Sequence, residues 1–220
     1  MSSITKTLKL DYHVIKSSNK LFLILAYLIA LVIGSLTKVT YMMVLIVMLI
    51  SAVSSGMFFS VYEKNNLSRL YGILPVGRTK IVAGRYLYAL TFGVINEIAA
   101  GLLMYIIGFI IKKDMVSLEF SASLSAGFLF YCFFISVLYP IYIRFGFTKV
   151  YVIANLPLYL IFIGTLILSK NANIFSTLGS IIRYFTDNPA MVWVIGVGSG
   201  LVFVCLSFML ARALFRKAEM

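Results

Sequence analysis

The chain alternates between long apolar runs and shorter polar stretches from residue 21 to residue 210. Each run is close to the roughly 20 residues that an α-helix needs to cross the hydrocarbon core of a bilayer. The shortest run, residues 21–37, still reaches about 26 Å at 1.5 Å per residue. The pattern predicts six membrane-spanning helices, over residues 21–37, 41–62, 86–111, 121–143, 150–168 and 189–210.

Two further segments are amphipathic rather than apolar. Residues 1–20 place basic side chains on one helical face, which predicts an N-terminal helix lying in the membrane interface with its lysines toward lipid phosphates. Residues 169–188, between the fifth and sixth predicted spans, carry a second apolar stripe opposite serines and an arginine. We interpret this link as a short external helix at the outer interface.

The longest polar interruption is the segment 63–85, between the second and third predicted spans. Its apolar side chains at i, i+3, i+4 and i+7 predict a short amphipathic helix; they are Leu67, Leu70, Tyr71 and Leu74. Gly72 and Pro75 are stop signals for that helix. From this pattern alone the segment is either a helix that docks on a partner in water or a solvated, positively charged loop.

The composition agrees with a polytopic, all-α integral membrane protein in one transmembrane domain. Hydrophobic residues make up 62% of the 220, only 12% are charged, and the mean hydropathy is +1.03. A soluble domain needs far more polar surface. The net charge of +12 comes from basic residues at helix ends, where anionic lipid and membrane topology account for them. We therefore expect a lipid environment and no nucleic-acid partner.

The distribution of basic residues predicts the orientation. Fourteen of the nineteen Lys and Arg residues fall in the two terminal segments, in 63–85 and in the link between the fourth and fifth spans. Basic residues are enriched on the cytoplasmic side of membrane proteins. Both termini and the segment 63–85 are therefore predicted to be cytoplasmic.

Glu97, preceded by Asn96, lies near the middle of the third predicted span. An ionisable group at that depth is costly and is expected to face protein or water. Gly93 and Gly101 lie one turn away on the same face and let a neighbouring helix approach. Two interpretations stay open: a polar element of a translocation path or proton-linked switch, and a protonated carboxyl hydrogen-bonded across helices.

Small residues and prolines mark other packing sites. Gly196 and Gly200 form a G-x-x-x-G in the sixth span, and the end of the second span is rich in Ser and Gly. Close helix packing is the expected role of both. Pro140 and Pro157 are candidate kinks in the fourth and fifth spans.

Several catalytic motifs are missing from the sequence. It has no G-x-x-x-x-G-K-[ST] phosphate-binding loop, no H-E-x-x-H and no Cys/His cluster for zinc. The single histidine, His13, precedes every span, and Cys132 and Cys205 lie inside apolar runs. We predict no metal site, no disulfide, no cofactor bound by this chain and no enzymatic activity of its own. No cleavable signal peptide is evident.

The segment 63–85 resembles the cytoplasmic loop of small ABC-2-type permeases, the membrane subunits of bacterial ABC transporters. The resemblance rests on Glu63-Lys64 followed by Leu74-Pro75-Val76-x-Arg78-x-x-Ile81-Val82-x-Gly84-Arg85-Tyr86. Gly77 and Arg85 depart from the usual pattern, which has Ser and Lys there. The order of predicted elements extends the resemblance over the whole chain.

The resemblance implies a bacterial plasma-membrane subunit whose cytoplasmic coupling helix sits in a groove of a separate P-loop ATPase. Two permeases, as a homo- or heterodimer, and two ATPases form the transporter, and ATP and Mg are bound by the ATPases. The implied contact set is Glu63, Lys64, Arg69, Leu70, Leu74, Pro75 and Arg78. Small permeases of this type export amphipathic peptides such as phenol-soluble modulins, or serve bacteriocin immunity or drug efflux.

Two alternatives belong to other classes. The first is the six-span substrate-binding module of a vitamin importer, which the small residues Ala26, Ala30 and Gly34 in the first span would suit. The second is a proton-coupled secondary transporter that uses Glu97 and needs no ATPase.

Overall fold

The structure, a computed structural model, describes residues 24–25, 27–32, 40–65, 78–111, 117–154 and 189–217. Within these ranges helix is the only regular secondary structure. Residues 24–25 and 27–32 are helical, and five further helices follow: α1 (Thr40–Lys64), α2 (Arg78–Ile110), α3 (Ser117–Phe145), α4 (Phe147–Ala154) and α5 (Pro189–Lys217). Of the described helices, α1, α2, α3 and α5 are long and apolar enough to cross a membrane.

The all-α membrane architecture predicted from the sequence is therefore confirmed. The helices α1, α2, α3 and α5 correspond to the second, third, fourth and sixth predicted spans. The fifth predicted span is described only as far as residue 154, and six remains a predicted number of spans. The interfacial segment 1–20, residues 66–77 of the coupling segment and the external segment 169–188 lie outside the described residues.

The helix boundaries differ from the predicted ones in a consistent direction. Helix α2 begins at Arg78, so residues 78–85, assigned from the sequence to the connecting loop, form its first two turns. Helix α5 likewise continues to Lys217, seven residues beyond the predicted end. Hydropathy marks where a bilayer-compatible stretch ends, whereas a helix continues into the polar interface until a breaker stops it. Ile81 and Val82 are buried, so the extra turns of α2 also pack.

Helix α3 is the centre of the bundle, because it packs against each of α1, α2, α4 and α5. Its largest fully buried side chains are Tyr131, Phe134, Ile135, Leu138 and Tyr139. The outer faces of α2 and α5 carry exposed apolar residues instead, including Phe109 and Val194. Such faces suit contact with lipid.

The sixth predicted span packs on α3 through its glycines, as the G-x-x-x-G spacing predicts. A Cβ on Gly196 would overlap Ser125 Oγ, and one on Gly200 would lie 3.2 Å from Cys132 Cβ. The close approach lets the Ser125 hydroxyl donate a hydrogen bond to the Val192 carbonyl, at 2.7 Å. Small residues therefore bring the two backbones close enough for a hydrogen bond between helices.

Pro140 lies inside α3 without ending it. Proline has no N–H, so the carbonyl four residues earlier, that of Ser136, loses its partner within the helix. The Ser207 hydroxyl of α5 donates to this carbonyl at 2.8 Å. The Tyr86 hydroxyl of α2 lies 2.7 Å from Ser207 Oγ and donates to it, since the single Ser207 proton is directed at Ser136. One chain of hydrogen bonds thus joins three helices.

A matched pair of glycine substitutions tests the α3–α5 contact. Gly196→Ala forces a methyl group into Ser125 and should lower the free energy of unfolding by about 1–3 kcal/mol. Gly198→Ala, two residues away in the same helix, meets no atom within 4 Å. It should be neutral or stabilising by up to about 1 kcal/mol, because Ala favours helix over Gly. Reversible unfolding in bicelles measures both, and equal effects would contradict this packing.

Candidate functional site

Asn96 is a buried residue of α2, and both the oxygen and the nitrogen of its side-chain amide have a hydrogen-bond partner. The Tyr27 hydroxyl donates to Asn96 Oδ1 at 2.9 Å, and Asn96 Nδ2 donates to the Phe92 carbonyl at 2.8 Å. Tyr27 belongs to the first predicted span. A hydrogen bond to Asn96 therefore joins the helical segment that contains Tyr27 to α2.

Glu97, the next residue, has no such partner. Its side chain is only 8% exposed, and neither carboxylate oxygen has a hydrogen-bond partner among the described residues. The approach of α3 is close here, since a Cβ on Gly127 would lie 3.5 Å from Glu97 Oε1. The hydrogen bond across helices, one of the two interpretations of Glu97, is not formed within the described part of the chain. A buried acceptor without a partner costs about 1–3 kcal/mol, more if it is charged.

The glycines on either side of Glu97 face α3, as predicted. A Cβ on Gly93 would overlap the Tyr131 ring, and one on Gly101 would lie 3.1 Å from Leu124 Cδ2. Tyr131 occupies the space that Gly93 leaves and donates its hydroxyl proton to the Ala89 carbonyl at 2.6 Å. Glu97 is therefore in a seam between helices, not on the lipid face.

A cavity of about 310 Å³ opens beside Glu97 between α2, α3 and α5. Its other lining residues are apolar or aromatic: Ile98, Gly101, Leu102, Tyr105, Phe120, Leu124 and Trp193. We call this cavity the Glu97 groove. The carboxylate oxygens of Glu97 are themselves buried, so the exposed wall of the groove is apolar and fits an apolar ligand or a lipid chain.

A second cluster lies where α1, α3 and α4 meet. Gly146, between α3 and α4, adopts a left-handed conformation with φ of +81°, and its N–H donates to the Tyr142 carbonyl at 3.0 Å. The Glu63 carboxylate accepts from the backbone N–H groups of Phe147 and Thr148 and from the Thr148 hydroxyl. Glu63 thus caps α4 from another helix, which satisfies N–H groups that have no partner within α4.

Arg85 is the other unusual side chain of this cluster, with only 3% exposure. Its guanidinium carbon lies 5.3, 5.2 and 4.4 Å from the ring centroids of Phe58, Phe59 and Tyr62 on α1. Cations within about 6 Å of an aromatic face are attracted to it. Nε and Nη2 have no hydrogen-bond partner among the described residues, so the rings are their principal surroundings. Arg85 therefore holds the start of α2 against the end of α1.

Aromatic contacts continue from this cage into the bundle. The ring centroids of Phe59 and Tyr139 are 5.1 Å apart, those of Tyr86 and Tyr139 are 5.2 Å apart, and those of Tyr142 and Phe147 are 5.0 Å apart. Tyr139 and Tyr142 belong to α3. The ends of α1, α2 and α4 are thus packed on the same stretch of the central helix.

The predicted coupling residues are placed as follows. Glu63 and the exposed Lys64 end α1, and Arg78 begins α2. Arg69, Leu70, Leu74 and Pro75 lie outside the described residues. The Glu63 carboxylate faces α4 within the chain, a role that the sequence analysis did not assign to it.

Sequence reasoning also missed the roles of Tyr27, Arg85, Gly127 and Trp193. From the sequence, Arg85 was assigned only to the basic residues of the segment 63–85 and to the family motif. The run of aromatic residues at the end of the second span was the available signal for the rings that enclose it. Gly127 had no recognisable motif. Among the described residues no group of acidic, Cys or His side chains is arranged to hold a metal ion.

Comparison with protein-family models assigns the chain to a family. Residues 7–216 match the family model described as ABC-2 family transporter protein. The chain therefore belongs to the ABC-2 transporter family, and it is a membrane permease component of an ABC transporter. Neither curated proteins nor solved structures gave a significant match. Membership implies an ATPase partner and a multi-pass protein in a bacterial membrane.

Neighbouring residues of α2 test the contrast between satisfied and unsatisfied polar groups. Glu97→Leu removes the unpartnered carboxyl and should raise the free energy of unfolding by about 1–3 kcal/mol. Asn96→Leu removes the acceptor of the Tyr27 hydroxyl and should lower the free energy of unfolding by about 1 kcal/mol. Reversible unfolding of both variants in bicelles measures the difference. Loss of stability in Glu97→Leu would show that the carboxyl has a partner after all.

Proposed function

We propose that the chain is the permease subunit of an ABC exporter and that a separate P-loop ATPase docks on the segment 63–85 to drive it. The family match supports the class. The sequence supports the division of labour, because it contains no phosphate-binding loop and concentrates five basic residues in 63–85. In this proposal both termini and the segment 63–85 face the cytoplasm, and a second permease, identical or related, completes the membrane part.

The observation that carries the proposal is that both ends of the segment are tied to the bundle. At its start Glu63 binds the first backbone N–H groups of α4. At its end Arg85 is enclosed by the α1 rings Phe58, Phe59 and Tyr62. A displacement of residues 66–77 by the ATPase would therefore move three helix ends together: the C-terminal end of α1 and the N-terminal ends of α2 and α4.

A second cavity, of about 390 Å³, lies beside the start of the segment. It is bordered by the ends of α1 and α4, with Met57, Ser60, Val61, Lys64, Asn65, Phe147 and Tyr151 in its wall. Space at this position leaves room for α4 to shift against α1 when the segment moves. Such a shift would reach α3 through the aromatic contacts of Tyr142 with Phe147.

The proposed substrates are amphipathic peptides or hydrophobic toxic compounds, moved outward. The apolar Glu97 groove supports a substrate with a large apolar part. Family membership favours this function over the vitamin-importer module and over a secondary transporter that works without an ATPase.

Charge substitutions in the segment test the coupling. Leu70→Asp places a charge on the predicted docking face, and Arg78→Glu reverses a charge at the start of α2. Each should reduce the permease-stimulated ATP hydrolysis of the partner by about tenfold or more, as expected for disrupting an interface contact worth about 1.4 kcal/mol or more. Stimulation is measured in liposomes that contain both subunits.

Arg212→Glu is the matched control, since it reverses an exposed charge on α5 outside the segment. It should leave stimulation near the wild-type value. Full stimulation in both segment variants, with normal membrane insertion, would refute docking at 63–85.

A further inference from the structure

We propose that the cavity between the ends of α1 and α4 binds the phosphate group of an anionic phospholipid, with Ser60, Lys64 and Asn65 as its polar contacts. The glycerol and the first part of an acyl chain would lie along Met57 and Val61. This inference goes beyond the proposed function, which places Lys64 against an ATPase. Its test needs no ATPase, so either claim can fail without the other.

The first argument is that the polar groups of this cavity can be reached. Lys64 and Asn65 are exposed, Ser60 is half-buried, and all three line a cavity of about 390 Å³. That volume falls within the range of about 300–1,000 Å³ that is usual for small-molecule sites. None of these three side chains has a hydrogen bond or an ion pair with another described residue. An ammonium, an amide and a hydroxyl are therefore available to one ligand.

The second argument is the charge of the wall. Among the described residues that line the cavity, Lys64 is the only charged one. The neighbouring Glu63 is directed at α4, where its carboxylate accepts hydrogen bonds from the Phe147 and Thr148 backbone N–H groups and from the Thr148 hydroxyl. Its oxygens are therefore engaged elsewhere, and a negatively charged ligand is the complement of Lys64. Phosphate oxygens accept strong hydrogen bonds from ammonium, amide and hydroxyl donors alike.

The third argument is the change of polarity along the cavity, which favours a lipid over a soluble phosphate. Lys64 and Asn65 lie at the end of α1, whereas Met57 lies about 10 Å closer to the middle of the helix. Val61 of α1 and Phe147 of α4 extend this apolar wall. Because α1 is long and apolar enough to cross the membrane, its end lies at headgroup level and Met57 lies near the start of the hydrocarbon. Basic pockets between membrane helices are typical sites for anionic headgroups.

A bound lipid is compatible with the shift of α4 against α1 that is proposed above. The lipid would occupy the space between the two helices and would exchange with the surrounding bilayer. The space is therefore available to α4 whenever the lipid has left.

Acetylation of lysines in the wild-type, full-length protein tests the proposal. The protein is placed in nanodiscs of pure phosphatidylcholine or of phosphatidylcholine mixed with phosphatidylglycerol, and it is treated briefly with acetic anhydride. Mass spectrometry of its peptides gives the rate of acetylation at each lysine. Lys80 of α2 and Lys149 of α4 are exposed and do not line the cavity, so they report the general effect of an anionic surface.

Phosphatidylglycerol should slow the acetylation of Lys64 about tenfold relative to Lys80 and Lys149, as expected when its amine forms a charge-assisted hydrogen bond. Ser60→Ala keeps the charge of the protein and removes one donor to the phosphate, so it should reduce this protection about threefold. Ser199→Ala removes a hydroxyl from α5, away from the cavity, and should leave the protection unchanged.

Equal slowing of all three lysines, or no slowing at Lys64, would overturn the proposal, and this comparison uses no variant. Unchanged protection in Ser60→Ala would also overturn it, because a general attraction to Lys64 does not depend on that hydroxyl. Glycerol 3-phosphate added to pure phosphatidylcholine nanodiscs should give no protection. Protection equal to that by phosphatidylglycerol would overturn the assignment to a lipid. Failure of the chain to stimulate an ATPase would refute the proposed function and leave a positive lipid result intact.

Discussion

A polar group on a helix inside a bilayer has no water to bond and must find its partner within the protein. This constraint organises the described bundle around α3. The Ser125 hydroxyl of that helix donates to the α5 backbone, and the Tyr131 hydroxyl donates to the α2 backbone. The carbonyl that Pro140 leaves free is used in the same way, as the acceptor of a bond from Ser207. Glycines supply the close approach that these short contacts need, so the apolar packing and the polar pairing depend on the same residues.

The exceptions to this constraint are few within the described residues: Ser51, Arg85 and Glu97 hold buried polar atoms without a hydrogen-bond partner. Arg85 has three aromatic rings around its guanidinium, so its setting stabilises the cation in another way. Glu97 has no comparable compensation, and the space beside it is open. Intramembrane ionisable residues are costly, and they mark substrate or ion pathways. Arg85 thus lies in the first turns of α2, next to the proposed coupling segment, whereas Glu97 lies near the middle of the same helix.

The sequence predicted the helical membrane class well, because an apolar run of about 20 residues has few other uses. It also predicted the packing of Gly93, Gly101, Gly196 and Gly200, since small residues at helical spacing leave a gap that a neighbour fills. It placed the start of α2 too late, at residue 86, and the end of α5 too early, at residue 210, because hydropathy follows the thickness of the bilayer and not the length of the helix. Glu63 was assigned only to a partner, although its carboxylate caps α4. Contacts such as this one, between residues 84 or more positions apart, are set by the fold and leave no local pattern.

The central claim is that the segment 63–85 is where an external ATPase meets this permease, and cross-linking from within that segment tests it most directly. A photoreactive amino acid would replace Leu70 in living cells. In a control, the same amino acid would replace Phe109, an exposed residue at the end of α2 that is farther from the segment 63–85. The account predicts an adduct with a P-loop ATPase from position 70 and none from position 109. Adducts with lipid alone at position 70, or an equal yield of ATPase adduct from position 109, would contradict it.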